Sequence, residues 1–258
     1  MCQPWTRKKI ANPKSIPVEL TYKFNCDFIP GGLIELAIES PERYTIFINK
    51  CEPAIDLKSG WWVDKSIQKI PVGPQLLNKG ENEILLKINY AEDDGLESIF
   101  LLGNFAVSLV DGIKPVIKKP VDELKKGNWV KQGLPFYSGS VLYHTDFNIP
   151  SVPEKALLRL PDFKGVCFKV KVNGEDCGTV LWPPYEIDIT HALSTEKNSV
   201  LIELFSSRRN SFGPLHQAEP ENIWTGPGEF VTTGKRWTQR YNLKPYGLFS
   251  EPVIEVYG

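Results

Sequence analysis

The sequence predicts an all-β chain built as two tandem antiparallel β-sandwiches. Three observations carry this expectation. Apolar and polar residues alternate with period two through most of the 258 residues, as in strands with one buried face. The 20 Gly, 21 Pro and 11% aromatic residues favour many turns and strands. A set of motifs occurs twice, in the same order, about 120 residues apart.

In the first half, Leu20, Tyr22, Phe24, Cys26 and Phe28 alternate with polar neighbours. Ile34, Leu36 and Ile38 follow, then Tyr44, Ile46 and Ile48, then Ile84, Leu86, Ile88 and Tyr90. Turn signals separate them: Pro30-Gly31-Gly32, Ser40-Pro41 and Asn78-Lys79-Gly80. Long apolar stripes of helical period are absent, and residues 121–126 can form at most a short helical turn. In the second half Val141 to Ile149, Ala156 to Leu160, Val166 to Val172 and Val200 to Leu204 alternate in the same way. Such alternation suits antiparallel sandwiches, whereas parallel sheets give continuous apolar runs.

The halves match in three places. IFINKCEP (46–53) matches VKVNGEDC (170–177), aligning Asn49 with Asn173. NKGENEILLKI (78–88) matches STEKNSVLIEL (194–204), aligning Asn82 with Asn198. YKFNCDF (22–28) is set against YHTDFNI (143–149). The period is too long for a solenoid repeat and reads as a duplicated domain. Asn173-Gly174 is a hairpin turn, since both residues tolerate positive φ; Asn49-Lys50 departs from that pair and predicts a different turn. The expected organisation is a first sandwich at 1–112, a Lys/Pro linker at 113–127 and a second sandwich at 128–258. Between the strand ending near Ser206 and the final strand Val253 to Tyr257 lie about 45 residues rich in Gly, Pro, Trp and Arg. This loop, 207–247, is the expected functional segment, because long irregular insertions in compact domains usually carry function.

Composition excludes several classes. With 30 Lys+Arg against 31 Asp+Glu the net charge is −1, which gives no electrostatic footprint for nucleic acid. No apolar run is long enough to span a membrane. The N-terminus is basic but lacks the apolar core of a signal peptide, and the compartment, secreted or cytoplasmic, stays open. Five unpaired-looking cysteines and three scattered histidines predict neither a disulfide framework nor a metal site. Asp93-Asp94-Gly95 is an acidic turn that could meet Ca²⁺, but the spacing of an EF-hand loop is absent, so no cofactor is indicated.

The stretch VKVNGEDCGTVLWPPYEIDITHAL, followed by NSVLIELFSSRRN, resembles the galactose-binding-like jelly roll found as a sugar-binding domain in family 2 glycoside hydrolases. From GNWVKQGLPFYSGSVLYHTDFNIP to YGLFSEPVIEVYG the chain resembles the C-terminal region of alpha-L-rhamnosidase-type, family 106-like enzymes. The likeness is strongest over 128–258 and weaker over 20–110, where FINKCEP, GWWVDKSI and LNKGENEILLKI carry it. It implies a carbohydrate-binding or buttressing region of a larger glycoside hydrolase, with carbohydrate and the parent catalytic domain as partners.

Catalytic residues are not expected in this chain, and a glycosidase in its own right stands behind the binding and buttressing readings. Glycosidases need two carboxylates held about 5–9.5 Å apart, and no acidic pair here stands in such a context; βαβα alternation, Gly-x-Ser-x-Gly and His-Glu-x-x-His are also missing. Flat aromatics that stack on sugar C–H faces, with Arg and Asn for hydroxyls, are the better candidates. These are Trp182, Tyr185, Arg208, Arg209, Asn210, His216, Trp224, Trp237 and Tyr241 in the second half, and Trp61 and Trp62, expected in a loop, in the first. Trp182-Pro183-Pro184-Tyr185 is expected to be stiff and extended. Trp129 and Phe136 could simply plug the ends of the sandwich.

Overall fold

A computed structural model describes residues 14–53, 59–91, 94–219 and 225–258. The chain divides into two compact units, Met1–Val121 and Asp122–Gly258. Both are built mainly from antiparallel strand pairs, and no helix among the described residues is long and apolar enough to cross a membrane.

The first unit contains β1 (Ser15–Cys26), β2 (Ile34–Glu39), β3 (Thr45–Ile48), β4 (Trp61–Trp62), β5 (Asp64–Val72), β6 (Gly80–Ala91), β7 (Phe100–Gly103), β8 (Ala106–Val110) and β9 (Lys114–Lys118). One sheet has the order β3-β6-β1-β9-β8 and the other β4-β5-β2-β7. Ile34, Leu36, Ile38, Ile70 and Val72 from the second sheet share one buried core with Ile46, Ile48, Ile84 and Leu86 from the first. Each such side chain contributes roughly 1.5–3 kcal/mol of transfer free energy, which is why the period-two pattern fixes which face turns inward.

Three local expectations are corrected here. Trp61 and Trp62 are not in a loop; they form the edge strand β4, paired with β5 through a register irregularity. Lys114–Lys118, expected within a solvated linker, is a strand paired with β8 and, in parallel, with the end of β1. Its Val116 and Ile117 are buried, and that burial outweighs the basic composition of the segment. Asn49 and Lys50 both have positive φ, 49° and 70°, and Ile48 and Cys51 exchange backbone hydrogen bonds across them. The first hairpin therefore uses the same two-residue turn as Asn173-Gly174, whose φ values are 51° and 85°. Lys50 occupies a left-handed position that costs a β-carbon about 1–2 kcal/mol.

The second unit contains β10 (Ser140–Ile149), β11 (Lys155–Arg159), β12 (Phe163–Lys164), β13 (Cys167–Val172), β14 (Glu175–Val180), β15 (Glu186–Asp188), β16 (Glu196–Phe205), the four-residue helix α1 (Arg209–Phe212), β17 (Gly247–Leu248) and β18 (Val253–Tyr257). The sheets are β10-β16-β13-β14, β15-β11-β18 and the small β12-β17 pair. Ala156, Leu158 and Leu160 face Phe168, Val170, Val172, Val200, Ile202 and Leu204 in one core, which Trp129, Tyr246 and Leu248 close. Trp129 is completely buried. The chain before it is fastened by Gly127 N–H to Leu248 O (2.6 Å) and Trp129 N–H to Tyr246 O (2.9 Å). Gly247 is required there: its φ is 139°, and a Cβ would lie 2.0 Å from the Gly127 carbonyl oxygen.

The internal sequence matches correspond to the same hydrogen bonds. Asn82 Oδ1 accepts from Asn78 N–H (2.7 Å) and Asn49 Nδ2 (2.8 Å), and Asn198 Oδ1 accepts from Ser194 N–H (2.8 Å) and Asn173 Nδ2 (2.8 Å). Asn49 Oδ1 accepts from Glu83 N–H and Asn173 Oδ1 from Ser199 N–H, both at 2.9 Å. The third match is out of register by two. Phe24 pairs with Asn82 and Phe147 with Asn198, so the strands equate Phe24 with Phe147, whereas the sequence alignment equates Tyr22 with Tyr143. A slip of two keeps every side chain on its face, so hydrophobic alternation cannot detect it.

Candidate functional site

The aromatic loop between β14 and β15 lines two open grooves of the second unit. One groove, of about 470 Å³, is lined by Arg159, Leu160, Pro161, Pro184, Tyr185, Glu186, Val253 and Glu255. The other, of about 300 Å³, is lined by residues 179–184 with Glu186 and Ile187. Pro184 and Glu186 belong to both.

The position of each group follows from strand pairing. Arg159 lies opposite Glu186 of β15 and Val253 of β18, while Leu158, one residue back, points into the core with Ile187 and Ile254. Arg159 and Glu186 therefore stand on the outer face of this sheet, as does Glu255, two residues beyond Val253. The guanidinium bridges both acids: Nε is 2.6 Å from Glu186 Oε2, and NH1 donates to Glu255 Oε1 at 2.9 Å. The first contact lies off the N–H axis and is an ion pair rather than an aligned hydrogen bond. Tyr257 donates its hydroxyl hydrogen to Glu255 Oε2 at 2.9 Å, and this bond raises the Tyr257 pKa. Further along the face, Asp188 accepts from Thr190 Oγ1 (2.6 Å) and Thr190 N–H (2.9 Å). These two bonds, with help from Lys155, hold its carboxyl below the ordinary value.

Tyr185 is held from behind. Its ring meets Phe163 edge-on at 4.8 Å, Phe163 meets the buried Phe168 edge-on at 5.3 Å, and the Tyr185 carbonyl accepts from Leu160 N–H. The ring is 38% exposed and Trp182 is 68% exposed. The connecting segment bends at residues 182–184, so the expected extended run is not what forms. A supported aromatic beside a fork of donors and two carboxylates can stack on a sugar face and exchange hydrogen bonds with adjacent hydroxyls. Of the sequence candidates, this site contains Trp182 and Tyr185. Arg159, Glu186 and Glu255 were not anticipated; they lie on three separated strands, and the only sequence signal was the alternation around Leu158 and Ile254.

The 207–247 loop holds the other candidates, and several are engaged in its own architecture. Asn210 is buried at 0% exposure, and its side-chain amide bonds the backbone of Lys244 at both ends, 2.9 and 2.8 Å, so it cannot reach a sugar. Arg209 donates to Pro214 O at 3.2 Å, and Arg208 is exposed. His216 packs tilted against Tyr241 at 4.6 Å, Tyr241 meets Phe136 at 5.0 Å, and burial raises the Tyr241 pKa. Buried Glu229 accepts from Gln217 and Arg236. Trp237 pairs through its backbone with Gln217 and keeps an exposed ring. Trp224 lies outside the described residues. In the first unit Trp62 packs on Phe100 at 4.9 Å and Trp61 is exposed. Asp94 of the acidic turn accepts from Arg43 and from Ala91 N–H, both at 2.7 Å, and Asp93 lies outside the described residues. Among the described residues, no group of three or more His, Cys, Asp and Glu could hold a metal ion.

No family model matches the chain. It is 27% identical over 182 residues to a protein of Formosa agariphila named "Putative beta-glucuronidase", a match covering 62% of this chain and 16% of that protein. Among solved structures it is similar to the rhamnosidase from Novosphingobium sp. PP1Y, with 17% identity, a TM-score of 0.35, and coverage of 94% of this chain and 22% of that one. It is also similar to the alpha-L-rhamnosidase of Streptomyces avermitilis, solved with L-rhamnose, at 12% identity and a TM-score of 0.33, covering 96% and 26%. The chain thus spans about a sixth of its curated relative and about a quarter or less of these two enzymes.

Proposed function

We propose that this chain is a non-catalytic, carbohydrate-binding region of a larger glycoside hydrolase, formed by two tandem galactose-binding-like sandwiches. Sugar docks on the second unit, across the Trp182–Tyr185 loop. The observation that carries this reading is Tyr185, braced by Phe163 beside an open groove whose other side presents Arg159 between Glu186 and Glu255. The jelly-roll motifs around Asn173 and the partial match to a glycosidase-named relative support the same reading. Two grooves meeting at Pro184 suit an oligosaccharide better than a single sugar unit.

Isothermal titration of the whole chain with oligosaccharides containing rhamnose, galactose or glucose tests it. The expected result is saturable, weak binding that falls at least fivefold in Tyr185→Ala. Flat titrations with all of them, in a protein whose circular dichroism is that of a folded β-chain, would leave a buttressing role for a catalytic module as the reading.

A further inference from the structure

We infer that the groove beside Tyr185 selects a neutral sugar over a uronic acid. The inference rests on the carbohydrate-binding reading above and specifies its ligand. Arg159 is the only cation among the residues lining this groove, and Glu186 and Glu255 both lie against it. The three groups together carry a net charge of −1. A ligand carboxylate entering here would share one guanidinium with two carboxylates already in contact, and like charges at such range repel. Lys155, on the same strand as Arg159, does not line the groove.

A neutral sugar meets the opposite situation. Its hydroxyls donate to the outer lone pairs of Glu186 and Glu255, and its ring oxygens accept from guanidinium N–H groups that the two carboxylates hold in place. The ion pairs act as fixed, mutually neutralising hydrogen-bonding groups, and the Tyr185 ring covers a C–H face.

The test is a matched titration of the whole chain with glucose- and glucuronate-terminated oligosaccharides of equal length, in wild type and in Glu255→Gln. The wild type is expected to bind the neutral ligand at least tenfold more tightly. Glu255→Gln is expected to narrow that ratio severalfold, by tightening the glucuronate ligand and by weakening the neutral one, which loses a carboxylate acceptor. Equal or tighter binding of the glucuronate ligand by wild type would overturn the inference and leave the carbohydrate-binding reading intact. An unchanged ratio in a folded Glu255→Gln would also overturn it. Absence of binding by both ligands would instead overturn the carbohydrate-binding reading itself, and this inference with it.

Discussion

Asn173 donates from Nδ2 to Oδ1 of Asn198 at 2.8 Å, and Asn49 makes the same bond, at the same distance, to Asn82. In each unit the first asparagine sits at the left-handed corner of a hairpin, while the second is buried at the start of a long strand. The second side chain closes the turn before that strand, bonding the residue four positions back through both amide atoms. Each pair thus locks a hairpin to a neighbouring strand by one amide–amide contact, in a place where an unpaired backbone N–H would be costly.

Replacing Asn198 with Ala removes the acceptor for Ser194 N–H and the partner of Asn173. We expect a loss of about 2–3 kcal/mol by urea denaturation. Amide exchange should accelerate at Ser194. Asn82→Ala should do the same at Asn78, and protection that persists there would contradict this account.

Lys50→Gly should stabilise the protein by about 0.5–1 kcal/mol, because glycine adopts the observed φ of 70° without steric cost. Gly174→Ala, at φ 85°, should destabilise it by about 1 kcal/mol. Thermal unfolding of the two variants should shift in opposite directions.

Asp188 predicts a component of acid sensitivity. The Thr190 hydroxyl, then the Thr190 N–H, hold its carboxyl below the ordinary value of 3.8. A depressed folded pKa means that the stabilisation is present above pH 3.8 and is lost as pH falls through the lower, folded value. Asp188→Asn should therefore give a shallower decline of stability below pH 4 than wild type, measured as the denaturation midpoint against pH. An identical slope would show that Asp188 contributes nothing.

The thiols should separate by environment. Burial pushes Cys26 up to about 11, whereas Cys51 is exposed. In the folded chain at pH 8, iodoacetamide should label Cys51 readily and leave Cys26 unmodified until denaturant is added. Early labelling of Cys26 by mass spectrometry would contradict the burial of this residue at the end of β1.

Much of the fold was legible because it depends on alternation and on a few turn residues. Ile34, Leu36 and Ile38, and the two asparagine pairs, announced their positions in the sequence. The β1–β10 correspondence was misjudged by two residues because period two is blind to such a slip. Lys50 hid a turn that Gly174 displayed. The short strands β4 and β9 went unrecognised, since Trp61-Trp62 and the lysine-flanked Val116-Ile117 are set by pairing partners distant in the chain.

The candidate site was legible only in its aromatic half. Trp182 and Tyr185 stood out by composition. Arg159, Glu186 and Glu255 become one site only when β15, β11 and β18 pair, which joins positions separated by 27 and 96 residues. The 207–247 loop drew attention by its richness in Trp and Arg, yet Asn210, Gln217, Glu229 and Arg236 bond within the loop or to its base. Residue type reveals hydrogen-bonding capacity but not whether a partner inside the protein already takes it up.

Backbone chemical-shift mapping of the ¹⁵N-labelled chain during titration with a neutral oligosaccharide tests the central claim most directly. The account predicts saturable shifts at Leu160, Tyr185, Glu186 and Glu255, with His216 and Trp237 unmoved. Shifts confined to the 207–247 loop or to Trp61 and Trp62, or none anywhere, would contradict it.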